Sequence, residues 1–299
     1  MHAADVAARL NLRHAGAGSW RGDCPACGYH RAFSLREREG RMLWFCASCQ
    51  DQEALTATIR QAAGGGWTPP APHAPRQRES FSPAQRTARA AAMWSAAIRL
   101  EGTPAEAYLR GRGVLQAWAS FPAPEVGPQL RFHPCAPHPD VGGRFPVLLA
   151  QVRRATDGEA IAIHRTYLRP DGSGKADLER ASLGPVAGGV IMLHALPSSG
   201  PLVLAEGIET TLSASALLRA PAWACISAGN LGNLALPASA RELIIAGDAD
   251  APGRRAARTA ARRCEAEGRH VRVALPDTAG TDFNDILRAR SGTAEARHG

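Results

Sequence analysis

Two sets of residues in this chain have the type and spacing to do chemistry. Cys24, Cys27, Cys46 and Cys49 stand as two C-x2-C pairs separated by eighteen residues. Two tight turns of this kind can each present two thiolates to one tetrahedral zinc ion, the arrangement of a zinc ribbon. Much further along, Glu206, Asp248, Asp250 and Asp282 supply hard carboxylate oxygens. Magnesium prefers such oxygens and keeps open positions for substrate phosphates. A zinc module joined to an acidic phosphate-chemistry site points to an enzyme that works on nucleic acid.

The acids need elements to position them. Leu202–Ala205 is a short apolar run that reads as a buried strand, and Glu206 follows it directly. A second strand over Leu243–Ala246 runs into Gly247 and then Asp248-Ala249-Asp250. Trp223–Ser227 and Val271–Ala274 add two more strands, and Glu206–Arg219 and Pro252–Glu267 read as helices. Strands alternating with helices imply a parallel sheet with crossover helices, and ligands collect at the carboxyl ends of its strands. Asp248 and Asp250 can face one ion because Ala249 between them points away. The competing reading is that each acid merely caps the helix it precedes. Acids at two strand ends, joined by the acidic turn Asp282-Phe283-Asn284-Asp285, weigh against it.

Upstream, residues 1–63 hold the cysteines. Ala32–Leu35 and Met42–Phe45 read as short strands turning at Glu39-Gly40, and Asp51–Ala62 as a helix. Glycine and proline crowd residues 64–80, which read as a flexible linker. A helix from Pro83 to Leu100 and another from Pro104 to Arg112 open the next block, residues 81–189. Strands follow over Gln129–Phe132, Phe145–Arg153 and Ile161–Leu168, the last two joined through Asp157-Gly158. Residues 190–290 hold the alternating elements, beginning with a strand V-I-M-L, and 291–299 read as a disordered tail.

At 299 residues, with 45% hydrophobic and 21% charged residues, the chain suits a multidomain soluble protein. There is no apolar run long enough for a membrane helix and no secretory signal at the N-terminus, so the expected location is cytoplasmic, where clustered cysteines bind metal. The net charge of +8 favours a polyanionic partner, discounted because Lys175 is the only lysine and the arginine load fits a GC-rich genome.

Taken together, L-V-L-A-E-G-I-E-T, I-I-A-G-D-A-D-A-P-G and T-D-F-N-D-I-L resemble the successive motifs of a Toprim domain. The resemblance implies that Glu206, Asp248, Asp250 and Asp282 hold catalytic Mg2+, or Mn2+ in its place, with Asn284 and Asp285 as weaker members of the set. Gly253 would allow close backbone packing at the start of the following helix. Arg144-Phe145-Pro146 and I-A-I-H-R-T-Y-L are similar to the subdomain that precedes Toprim in bacterial-type primases. That likeness implies a shallow basic groove for template and nucleotide, with Arg144, Arg165 and Lys175 as its candidates. The run up to G-D-C-P-A-C, with A-F-S-L and W-F-C-A-S-C, resembles a primase zinc-binding domain. There Arg31, Arg36, Arg41, Trp44 and Phe45 could read template, a packing role being an equal alternative for the two aromatics. Thr210 departs from the family, standing where bacterial primases often place another aspartate.

The implied fold is multidomain α/β: a small β zinc ribbon, a mixed α+β primase subdomain and a Rossmann-like parallel-sheet Toprim domain. The implied activity is Mg2+-dependent synthesis of short RNA primers on single-stranded DNA from nucleoside triphosphates. No P-loop is present, so a replicative helicase is expected as a separate partner. Two alternatives stay open: a Toprim nuclease using the same acids, and a non-catalytic DNA-binding protein of replication or transfer.

Overall fold

The computed structural model describes residues 2–15, 18–29, 32–38, 41–46, 49, 51–64, 81–139 and 143–295. Packing divides the chain into two units, Met1–Ser80 and Phe81–Gly299.

In the first unit, apolar residues alternate along short strands and so line one face. α1 (Ala3–Arg9) precedes β1 (Arg13–His14), β2 (Ser19–Gly22), β3 (Phe33–Arg38) and β4 (Arg41–Cys46), which form an antiparallel sheet in that order. α2 (Gln52–Ala62) begins where the Asp51 side chain accepts from the Ala54 amide, a conventional N-cap. Phe33, Leu35, Leu55 and Ile59 are fully buried and pack with Cys24 and Cys46. The expected turn at Glu39-Gly40 and nearly all of the expected linker lie outside the described residues.

The second unit opens with α3 (Pro83–Ser95), capped by Ser82, then α4 (Pro104–Gly111), capped by Thr103, and α5 (Leu115–Ala119). α3 stops short of the expected Leu100, and Ile98 pairs instead with Phe132. β5 (Leu130–Pro137), β6 (Arg144–Arg154), β7 (Ala160–Tyr167) and β8 (Ala181–Leu183) form an antiparallel sheet, and β9 (Gly189–Val190) pairs with the end of β6. The strand expected over V-I-M-L is therefore only two residues long, with Ile191 making a single bridge to Ala224.

The remaining elements alternate as expected: β10 (Leu202–Ala205), α6 (Ile208–Leu218), β11 (Ala222–Ala224), α7 (Ala228–Asn233), β12 (Glu242–Ala246), α8 (Ala251–Ala266), β13 (His270–Ala274) and α9 (Phe283–Glu295). The sheet is wholly parallel, in the order β11-β10-β12-β13. Ser227, expected in a strand, instead caps α7. Ser291 to Glu295, expected as tail, continue α9.

No break in packing separates the two sheets of this unit. Leu100, Leu109, Leu148 and Val152 share one core with Ile208, Leu212 and Ala224. The antiparallel sheet thus buttresses the first crossover helix of the parallel one. Among the described residues, no helix is long and apolar enough to cross a membrane.

Candidate active site

The chain leaves β10 through α6 to β11 on one side, then returns through α7 to β12 on the other side of β10. The strand order therefore reverses between β10 and β12, and such a reversal opens a crevice beyond the carboxyl ends of those strands. Glu206 follows β10 and Asp248 follows β12, so both acids stand at that crevice. Ile226, just past β11, is held there with φ +72°, a conformation strained for a β-branched side chain, and its amide donates to the Glu206 carbonyl at 2.8 Å.

Electrostatics ties the acids together. Asp248 is pushed up from 3.8 to about 7, first by burial and then by the negative charges of Glu206, Asp282 and Asp250, with Arg180 acting in the opposite sense. Four carboxylates from three separate loops thus share one field. Asp250 also caps α8, accepting from the Gly253 amide at 2.6 Å through Oδ1. Asp282 and Asp285 cap α9 reciprocally, each carboxylate accepting from the other residue's amide at 2.9 and 3.1 Å. Capping and membership of the acid cluster coexist, because a carboxylate has a second oxygen. Gly253 is where the backbone passes closest: a Cβ there would lie 2.7 Å from the Asp248 carbonyl oxygen and 2.9 Å from Asp250 Oδ1.

Asn284 does not join the acids. It is fully buried, and its Nδ2 donates to the Arg112 carbonyl at 2.8 Å and to Ser213 Oγ at 2.9 Å. It pins α9 against α6 and the end of α4. Phe283 beside it is buried under the parallel sheet.

The basic candidates separate. Arg144 is exposed, with Nε donating to the Cys135 carbonyl at 3.0 Å. Lys175 is exposed and its ammonium meets Glu209 Oε1 at 2.9 Å. Arg165, expected in the groove, is only 4% exposed, and its guanidinium donates to the carbonyls of Pro137 and Ser182 at 3.0 and 3.3 Å. It is an internal tie between β5, β7 and β8 rather than a surface charge. Arg180 was not foreseen. It precedes β8 and is exposed, and its charge reaches Asp248, His164 and Tyr108. No local pattern marks it among the many arginines.

In the N-terminal unit, Cys24 Sγ lies 3.9 Å from Cys49 Sγ, and Cys27 Sγ lies 3.9 Å from Cys46 Sγ. All four sulfurs fall within 4.8 Å of one another. Ligands about 2.3 Å from a tetrahedral centre are about 3.8 Å apart, so the donor set fits zinc. The amides of Cys27 and Cys49 point at the sulfurs of Cys24 and Cys46, each at 3.4 Å, as charge-stabilising donors to thiolates. Among the described residues this is the one group of three or more ligand-type side chains drawn that closely together, so the four carboxylates of the crevice are spread more widely. Trp44 packs into the ribbon core, whereas Leu43 and Phe45 alternate onto the open face at 51% and 46% exposure, beside Ser34 and Arg36. Packing accounts for Trp44 and leaves Phe45 available.

Comparison with known proteins agrees with the C-terminal reading. Residues 201–293 match the Toprim domain family, and residues 84–193 match a domain of unknown function, DUF7146. No curated protein matches the chain. Among solved structures, the chain is similar to the primase fragment of the bacteriophage T7 primase-helicase protein, at 16% identity and a TM-score of 0.45, covering 93% of this chain and 97% of that one. It is also similar to the Aquifex aeolicus primase, zinc-binding and RNA polymerase domains, at 13% identity and a TM-score of 0.46, covering 98% and 82%. A DNA primase domain from Pseudomonas aeruginosa aligns at 16% identity and a TM-score of 0.44, covering 70% and 77%.

Proposed function

We propose that a Toprim domain over residues 201–293, a four-cysteine zinc ribbon and the exposed basic residues Arg144, Lys175 and Arg180 make this chain a primase-like nucleotidyltransferase. Its reaction is the template-directed joining of ribonucleotides into short primers on single-stranded DNA. The observation that carries this reading is the shared field of Glu206, Asp248, Asp250 and Asp282 at the reversal point of the parallel sheet.

An array in which three carboxylates resist the ionisation of a fourth is the environment that a hard cation relieves. Glu206, Asp248, Asp250 and Asp282 would hold magnesium or manganese, which supplies charge neutralisation for a triphosphate and activation of an attacking 3′ hydroxyl. The remaining work belongs to the chain itself. Arg180 places positive charge beside Asp248, and Lys175 places it at Glu209, three residues from Glu206, where triphosphate oxygens need it. Arg144, exposed at the start of β6, would meet template phosphate. The cap hydrogen bonds of Asp250 and Asp282 hold those carboxylates in fixed orientation, so little rearrangement accompanies reaction. Phe45, Leu43 and Arg36 on the open face of the ribbon offer stacking and charge to single-stranded template. A separate helicase would deliver that template.

Primer synthesis on single-stranded DNA of mixed sequence, with labelled ribonucleotides and Mg2+, tests the proposal against an Asp248→Asn control. Short products that vanish in the control support it. Template cleavage without added nucleotide would replace it with a nuclease. DNA binding unaffected by loss of all four acids, with function intact in cells, would replace it with a non-catalytic anchor.

A further inference from the structure

Beside the acid crevice lies a second charged cluster, of which the scheme above uses only Lys175. Glu209 stands in the first turn of α6, three residues after Glu206, and is 8% exposed. Its Oε1 meets the Lys175 ammonium at 2.9 Å and accepts a short hydrogen bond from the Tyr108 hydroxyl. Tyr108 comes from α4 and is itself buried. Lys175 lies beyond β7, where its backbone bridges Leu168. Three distant segments therefore meet at one carboxylate oxygen.

Burial by itself would raise the Glu209 carboxyl, but the charge of Lys175 and the hydrogen bonds from Tyr108 and Lys175 bring it down to about 2. Glu209 thus stays ionised, and Lys175 keeps its counter-charge. The neighbouring His164 is pushed down to about 3, by burial first and then by Arg180, Lys175 and Arg165, with Glu209 opposing, so it stays neutral. Its Nδ1 lies 3.2 Å from Ser182 Oγ.

A purely structural ion pair is the plainer account of this contact. Two features favour more. The pair is asymmetric, because the Glu209 side chain is 10% exposed while that of Lys175 is 42% exposed. An ammonium has three donors, so Lys175 can bond Glu209 with one and present the others to solvent. Arg180, the charge adjoining this cluster, also acts on Asp248. A Cβ on Gly207, the residue after Glu206, would lie 3.8 Å from both the Arg180 guanidinium and Glu209 Oε2, so the Lys175–Glu209 pair adjoins the segment that carries Glu206. A lysine on its flexible stem is a poorly placed cation unless something holds it.

We infer that Glu209 is a positioning residue which, together with Tyr108, holds the Lys175 ammonium beside the acid crevice to receive the phosphates of a nucleoside triphosphate. The inference rests on the nucleotidyl-transfer reading and adds to it a residue outside the four acids.

The test compares wild type, Glu209→Gln, Lys175→Met, their double variant and Tyr108→Phe. The readouts are ATP binding by calorimetry with Mg2+, single-stranded DNA binding, primer-synthesis kcat and KM, and Tm. Glu209→Gln should raise Kd and KM for ATP roughly tenfold, the loss expected for one misplaced charge-assisted contact. DNA affinity and kcat at saturating nucleotide should hold. Lys175→Met should show the same loss, and Glu209→Gln should add nothing to it. Tyr108→Phe, which keeps the ring, should weaken ATP binding in the same direction, and it carries the test if Glu209→Gln does not fold. ATP binding unchanged in both Glu209→Gln and Tyr108→Phe, or a double variant with fully additive losses, overturns the inference while leaving the primase reading intact. A wild-type chain that neither binds ATP nor makes primers overturns that reading, and the inference with it.

Discussion

Asp248→Asn should disable the chain and stabilise it at the same time. In the folded protein the Asp248 carboxyl sits at about 7 rather than 3.8, raised by burial and by three neighbouring acids. At about 1.4 kcal/mol per tenfold change in proton affinity, that displacement represents about 4 kcal/mol. The direction follows from linkage. The folded state binds this proton more tightly than the unfolded one, so stability is full below pH 3.8 and falls as pH rises towards about 7. Above that window the native state carries the whole cost of an ionised Asp248. Asparagine never ionises and escapes it.

The assay is thermal unfolding in chelator at pH 4 and pH 8. A domain of 150–250 residues shifts by about 2–4 °C per kcal/mol, so the variant should melt roughly 8 °C or more above wild type at pH 8. The gap should close towards pH 4, where wild type is protonated. Adding Mg2+ at pH 8 should raise the wild-type Tm more than that of the variant, because only wild type has the full set of charges to offset. Primer synthesis should be lost in the variant throughout. A variant no more stable than wild type at pH 8, or a gap insensitive to acid, would refute the account of the crevice as a field of mutually repelling carboxylates.

Other consequences can be measured separately. Cys46→Ser should lose bound zinc by elemental analysis; structural zinc contributes about 10–16 kcal/mol in small domains, so the Met1–Ser80 unit should lose cooperative melting while Phe81–Gly299 keeps its own transition. Arg165→Met should lower the denaturant midpoint, each orphaned carbonyl of Pro137 and Ser182 costing about 1–3 kcal/mol, with DNA affinity retained. Weakened DNA binding at an unchanged midpoint would return Arg165 to the groove. Gly253→Ala puts a methyl group 2.7 Å from the Asp248 carbonyl oxygen and must displace the acidic turn. Primer synthesis should fall on the order of a hundredfold, the sensitivity expected for a reacting group moved by about 1 Å, while Tm drops by only a few degrees.

Much of this architecture was legible along the chain because the relevant signals are local. Apolar runs of four or five residues place the parallel strands, and Glu206, directly after one run, and Asp248, one glycine past another, fall at the crevice. The spacing of the cysteines was enough to imply a closed thiolate set. The burial of Arg165 also has a local sign. Along β7, Arg165 alternates in phase with Ile163 and Tyr167, both buried in one cluster, so a period of two places it on the apolar face. The ends of α3 and α9 and the short α7 were less legible, because tertiary partners decide where short helices begin and stop.

Other features depended on the fold alone. The sequence by itself determined which residues could bind metal, which strands would deliver them, and that two dissimilar modules share the chain. Only the tertiary structure decided that the antiparallel and parallel sheets of the second unit share one core, that Arg180 stands near Asp248, and that Glu209 meets both Tyr108 and Lys175. Tyr108 and Glu209 are 101 positions apart, and no periodicity or spacing rule reaches across such a separation. Periodicity reports the face on which a residue lies; the identity of its partner there is fixed when the packing of whole elements brings distant backbones together and burial makes an unpaired charge too costly to leave alone.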